Sequence, residues 1–299
     1  MEATPGDGLI EWLLEGDPAV RWRVLQDLVH APAEDVAQER ARVATDGWGA
    51  RLLQAEDGDG SWGGGIYSPK WTSTTYTLLH LMWLGLPPGH PAALRGCERL
   101  WQWQARWRAP ETCIVSMLVR LTVAHGYNAE RLDAMVDHLL DQQLADGGWN
   151  CDKWTDRSKH SSFHTSILAL ESLESYRSAG GRVDATEALR RGREFFLEHR
   201  LYQSHRTGAV AIRGSTRFPA FPEWHFDVLR GLEHFAEAGA DRDERLSDAV
   251  AVVRRARRKD GRWPTYSPYP GRQWFDLEPP GPSRWNSSRV LRLLQWWDR

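Results

Sequence analysis
The chain has 299 residues, with 38 basic and 40 acidic side chains and a formal charge of −2. No basic block is long enough to follow a phosphate backbone, which argues against nucleic acid as a partner. Three cysteines, Cys97, Cys113 and Cys151, make no disulfide framework and point to reduced thiols in the cytoplasm. The sequence offers neither a leader-like N-terminal pattern nor a run of about 18 apolar residues, so no transmembrane segment is expected.

Helical periodicity runs nearly throughout and predicts an all-α chain. In chain order, apolar helices are expected at 18–30, 71–86, 112–125, 161–178, 222–238 and 284–297. More polar helices, rich in Arg and Glu on one face, are expected between them at 33–53, 91–104, 129–144, 185–199 and 242–258. Asp17-Pro18 supplies an N-cap followed by proline in the first turn, and Pro222 opens a similar start. The alternation reads as one domain over residues 1–299, with six inner and five outer helices.

The connections are unequal. Apolar helices pass to polar ones through short turns, whereas the return connections, 56–70, 146–160, 202–221 and 260–283, are long. All the long loops therefore gather at one end, where the inner helices begin and aim their free N–H groups. Long loops without secondary structure are usually functional. The stretch 208–221 could fold over this mouth as a lid, and the Pro-rich segment 264–282 could brace its rim. Lys70, Arg213, Arg217 and Arg289 would lie near it.

One phrase recurs at the corners: Asp59-Gly60-Ser61-Trp62, Asp146-Gly147-Gly148-Trp149 and Asp260-Gly261-Arg262-Trp263, with Gln54 and Gln143 upstream of two copies. The phrase resembles the Gln-Trp repeat of squalene and hopene cyclases and the related repeat of protein prenyltransferase β subunits. That resemblance implies a single closed (α/α) toroid, with an open α-solenoid as the other architecture of similar unit length. It also implies an enzyme that transfers or cyclises a hydrophobic, isoprenoid-like substrate in a central cavity. The competing class is a non-catalytic ligand- or peptide-binding repeat protein.

Aligning the apolar helices on their aliphatic pairs puts Thr75, His164, His225 and Ser287 in register near the mouth, so His164 and His225 are candidate catalytic groups. Asp227 could pair with a group in the cavity or bridge to Arg230 on its own helix. The prenyltransferase β subunits bind zinc with a carboxylate, a Cys two residues later and a His from the next inner helix. This chain resembles that pattern in Glu111, Cys113 and Phe163-His164-Thr165, which implies a three-ligand Zn2+ site with one open position. Arg108 falls where that family has a basic residue toward an isoprenoid diphosphate. A rival ligand set draws on Cys151 and Asp152 beside His160 and His164.

A cyclase would instead need a strong carboxylic acid and aromatic walls for carbocations. The Asp-x-Asp-Asp motif of squalene-hopene cyclases is missing, but aromatics are plentiful near the mouth. Tyr67, Trp71, Tyr76, Trp154, Phe163, Trp224 and Trp285 are the candidate substrate contacts, whereas Trp62, Trp149 and Trp263 should pack the corners.

Overall fold
The computed structural model describes residues 7–106, 111–151 and 159–299, so Arg108, Asp152 and Trp154 lie outside the described residues. The described chain is all-α apart from one minimal pair of strands. In order come α1 (Asp7–Leu14), α2 (Pro18–Arg23) continuing as a π-helical turn over Val24–Val29, α3 (Ala33–Ala41), α4 (Gly47–Gln54), α5 (Thr74–Leu84), α6 (Pro91–Gln104) and α7 (Thr112–His125). They are followed by α8 (Leu132–Asp141), α9 (Phe163–Ser178), α10 (Thr186–Glu198), α11 (Val228–Glu237), α12 (Ser247–Arg255) and α13 (Arg284–Trp297). The strands β1 (Trp263–Pro264) and β2 (Pro282–Ser283) pair antiparallel at the base of the last long loop. Among the described residues no helix is long and apolar enough to cross a membrane.

The apolar helices pack on one another in sequence: α5 on α7, α7 on α9, α9 on α11 and α11 on α13. The last of them, α13, packs on α1 and α2. From α2 the succession reaches α5 through the Trp22 indole N–H, which donates to Leu84 O at 3.0 Å, and through the Arg23 guanidinium on the Trp83 and Leu84 carbonyls. The polar helices lie against this set, α6 on α5 and α7, α8 on α7, α10 on α9 and α12 on α11.

The repeated corner has one chemistry in all three copies. The glycine adopts a left-handed backbone, φ 86° at Gly60, 91° at Gly147 and 80° at Gly261, which residues with a Cβ avoid. Each tryptophan then turns inward, fully or almost fully buried. Its indole N–H donates to a carbonyl of the preceding polar helix, Trp62 to Leu52, Trp149 to Leu139 and Trp263 to Val253, at 2.7–2.8 Å. Its backbone N–H donates to a hydroxyl of the following apolar helix, Thr74, Ser166 or Ser287. One residue thus ties two helices and the turn between them.

Three sequence expectations change. The first polar helix is two, because Gly47 at φ 66° breaks it and the Asp17 carboxylate caps both α2 and α4, accepting from Ala19 N–H at 2.9 Å and Trp48 N–H at 2.8 Å. The helix expected at 222–238 begins only at Val228. Glu223 is left-handed at φ 55°, and the Arg230 guanidinium holds the Glu223 and His225 carbonyls away from a helical path. The hydroxyls that receive the corner tryptophans are Thr74, Ser166 and Ser287, so of the expected register Thr75, His164, His225 and Ser287 only Ser287 holds an equivalent place.

Candidate functional site
The ends of α5, α7 and α9 converge with the long loops. Glu111 is the N-cap residue of α7 and Cys113 lies in its first turn. Cys151 follows the Trp149 corner by two residues, so anchoring the indole places its sulfur over the start of α7. There it accepts the Cys113 backbone N–H at 3.4 Å and stands 3.4 Å from the Thr165 hydroxyl. The Cys113 sulfur lies 3.7 Å from Glu111 Oε2. The donor atoms of Glu111, Cys113 and Cys151 all fall within 4.8 Å of one another.

Tetrahedral zinc bonds of about 2.0–2.3 Å put neighbouring ligand atoms roughly 3.5–3.8 Å apart, and the 3.7 Å between Cys113 Sγ and Glu111 Oε2 is of that size. The thiols are chemically unequal. The hydrogen bond from Cys113 brings the Cys151 thiol down to about 7, and the same contact, with burial and the Glu111 carboxylate, pushes Cys113 well up. A thiol ionised near neutrality is the form a metal takes.

His164 is not part of this cluster. Its Nδ1 accepts the Phe226 backbone N–H at 2.8 Å, which turns the ring toward the segment before α11. The structure therefore groups Glu111 and Cys113 with Cys151, and His164 with His225. Their rings are 5.5 Å apart and nearly perpendicular. His225 lies three residues before α11 and is sandwiched between Trp224, at 3.7 Å, and Tyr269, at 3.6 Å. Burial lowers His164 to about 4 and His225 to about 3, so both imidazoles are neutral at pH 7.

An aromatic wall links the two groups. Tyr67 stacks between Trp103 and Tyr76, Tyr76 meets Trp71 edge-on at 4.7 Å, and Trp71 faces Trp224 and His225. The Tyr67 hydroxyl is pushed up to about 12 by burial and, beyond that, by the neighbouring Cys113, Glu111 and Cys151. Lys70 lies 5.1 Å from the Trp224 ring.

The remaining candidates serve other purposes. Phe163 packs among Phe195, Phe196 and Phe226, toward α10, as part of the core. Trp285 donates to Ala220 O from the first turn of α13. Asp227 caps α11 by accepting the Arg230 backbone N–H at 2.9 Å; it makes no bridge to that guanidinium, and burial raises its carboxyl to about 6. The stretch expected as a lid is pinned in its second half, since Phe218 O, Pro219 O and Ala220 O accept from Asn286, Arg289 and Trp285. The 264–282 loop does brace the rim: Arg272 N–H donates to Lys70 O, Trp71 N–H to Arg272 O, and the Trp274 indole to Thr77.

One group escaped the sequence reading. Glu223, buried at 2 %, holds His80 Nε2 at 2.8 Å, while its Oε2 has no partner. Burial raises its carboxyl. It borders a cavity of about 60 Å³ beneath the 264–282 loop, together with Phe221, Tyr266 and Phe275. The only local signal is a carboxylate within an aromatic stretch, Phe221-Pro222-Glu223-Trp224, and its partner is 143 residues away.

No family model matches this sequence, and no curated protein matches it. Among solved structures, the crystal structure of a protein from Actinoplanes is similar over 95 % of this chain and 91 % of its own, at 16 % sequence identity and a TM-score of 0.46.

Proposed function
We propose that this chain is an (α/α) toroid enzyme of the squalene cyclase and prenyltransferase kind. It would act on a hydrophobic, isoprenoid-like substrate at the end of the body where α5, α7 and α9 begin. The succession α2, α5, α7, α9, α11, α13 and back to α2 supports the closed ring, and the three identical tryptophan corners support the repeat. Glu111, Cys113 and Cys151 are the ligands we assign to Zn2+, replacing the set that included His164. The free thiols suit a reducing cytoplasm.

The observation that carries this reading is the position of Tyr67. Its hydroxyl is close enough to Glu111, Cys113 and Cys151 to be pushed up by their ionisation, and its ring begins the wall that runs through Tyr76 and Trp71 to Trp224 and His225. A metal bound there would supply a Lewis acid and an activated nucleophile in its open position. The wall would hold an apolar chain against that position and exclude water. His164, neutral and accepting through Nδ1, carries its proton on Nε2 and could donate a hydrogen bond from there to a bound group.

Glu223 favours a second reading, acid-initiated cyclisation. Its carboxyl is held up by burial, bonded to His80 on one oxygen, and borders the cavity under the loop. Elemental analysis of untagged protein separates the two. Near-stoichiometric zinc, lost in Cys113→Ala and in Cys151→Ala, supports the metal enzyme. Absence of zinc from wild type overturns it, and loss of turnover in Glu223→Gln would then identify the acid. If wild type holds no zinc and turns over no isoprenoid substrate, the chain is a binding protein.

A further inference from the structure
A second cavity of about 60 Å³ lies among the apolar helices themselves and shares only Ala220 with the lining of the cavity under the 264–282 loop. Its lining is charged: five guanidiniums face three carboxylates. Glu171 of α9 is shared between Arg120 of α7 and Arg230 of α11, the latter through two bonds of 2.9 and 2.6 Å. Glu233 of α11 is shared in the same way between Arg289 and Arg292 of α13, with Arg289 bidentate at 2.9 and 2.6 Å. Glu237 holds Arg292 at 2.8 Å, and Asp27, outside the lining, stands 3.9 Å from the same group.

No carboxylate remains for Arg23. Its guanidinium reaches the Ala19, Leu84 and Trp83 carbonyls and lies over the Trp22 and Trp285 rings, and among the described residues no carboxylate is within 4.0 Å of it. Burial and the nearby Arg292 lower it to about 9, although Glu237, Glu233 and Asp27 act the other way from beyond contact distance; this is a large displacement for a group that is otherwise permanently charged. Positive charge left over in a buried place is unfavourable unless an anion completes it.

We propose that this Arg-lined cavity is a binding site for a small phosphate-class oxyanion, free or as the end of a larger molecule. The lining holds five guanidiniums and three carboxylates, and Asp27 beside Arg292 brings the local excess to one positive charge, which an oxyanion offsets. The volume also fits, because one water occupies about 10–15 Å³ of such space, so the cavity holds roughly four to six waters or one tetrahedral group. Planar guanidinium forks arriving from four helices suit its oxygens. Arg230 ties this site to the mouth, since the same side chain holds the Glu223 and His225 carbonyls.

The test is calorimetric titration of the full chain with inorganic phosphate and with phenyl phosphate at constant ionic strength, on wild type, Arg23→Met and Cys113→Ala. Saturable 1:1 phosphate binding is expected, weakened about tenfold or more in Arg23→Met and unchanged in Cys113→Ala. Arg23→Met also gives up the bonds to the Ala19, Trp83 and Leu84 carbonyls, so its melting temperature is measured first and the titration is run well below it. Tighter phenyl phosphate would show the end of a larger molecule, and equal or weaker binding a free oxyanion. No saturable phosphate binding by wild type, or equal binding by folded Arg23→Met, overturns the proposal. Since Cys113→Ala probes the mouth alone, failure of the zinc reading leaves this result intact.

Discussion

His225 lies flat on Tyr269, ring centroids 3.6 Å apart and planes within 9°, with Trp224 on its other face. The contact joins the segment before α11 to the loop before α13. It keeps the imidazole neutral, because the stacked rings replace the water that would solvate a charge.

Buried neutral histidines make the protein sensitive to acid. His125 and His234, nearly or wholly buried, are each lowered to about 4. A histidine whose pKa is depressed on folding contributes stability above its unfolded value near 6.5, and that contribution is lost as the pH falls toward the folded value. Between pH 7 and 5 each should cost about 2 kcal/mol. Asp227, raised to about 6, acts oppositely: its folded form binds a proton more readily, so acidification returns about 1 kcal/mol over the same range. Urea unfolding at pH 7 and pH 5 should therefore show a net loss of at least about 2 kcal/mol, with a smaller loss in His125→Gln.

The corner glycine should tolerate no side chain. At Gly147 a Cβ would sit 2.5 Å from Arg191 O, on a backbone at φ 91°. The left-handed conformation alone costs about 1–2 kcal/mol for alanine, and the clash adds to it. Thermal melts of Gly147→Ala and Gly58→Ala make the comparison, since Gly58 has a similar φ of 83° with open space around it. The Gly147 variant should lose clearly more.

Trp149→Ala should cost about 3–5 kcal/mol, the usual range for deleting a large buried ring. Trp149→Phe should cost less yet remain measurable, because Leu139 O loses its donor. Equal stability of the Phe variant and wild type in denaturant titration would remove the role assigned to the indole N–H.

Removing Glu171 leaves Arg120 and Arg230 facing one another without a counter-charge. Glu171→Ala is expected to lose about 3–5 kcal/mol, the range for breaking a buried pair from one side. Glu187→Ala, which breaks an exposed pair with Arg190, should leave stability essentially unchanged. Parallel denaturant curves check both.

His164→Ala should keep the metal of the proposed zinc site and still weaken the fold, because the Phe226 N–H loses its acceptor at a cost of about 1–3 kcal/mol. Zinc content and melting temperature measured on the same preparation distinguish this from a ligand role, in which the metal would go as well.

The sequence by itself determined the all-α character, the alternation of apolar and polar helices, and the three tryptophan corners. Each is written within a dozen or so residues, in a helical period, a cap or a glycine that must turn left-handed. Glu111 and Cys113 are named together through the resemblance to the prenyltransferase zinc pattern, in which a carboxylate and a Cys stand two residues apart. The tertiary structure decided the rest. Cys151 joined them in place of His164 because the Trp149 corner delivers one sulfur over α7, while the Phe226 N–H draws the imidazole away. Glu223 found His80, and Glu171 found two arginines, through the packing of helices far apart in the chain. Periodicity fixes which face of a helix is buried; which side chain it meets there depends on the angle and offset of its neighbour, and no local pattern records those.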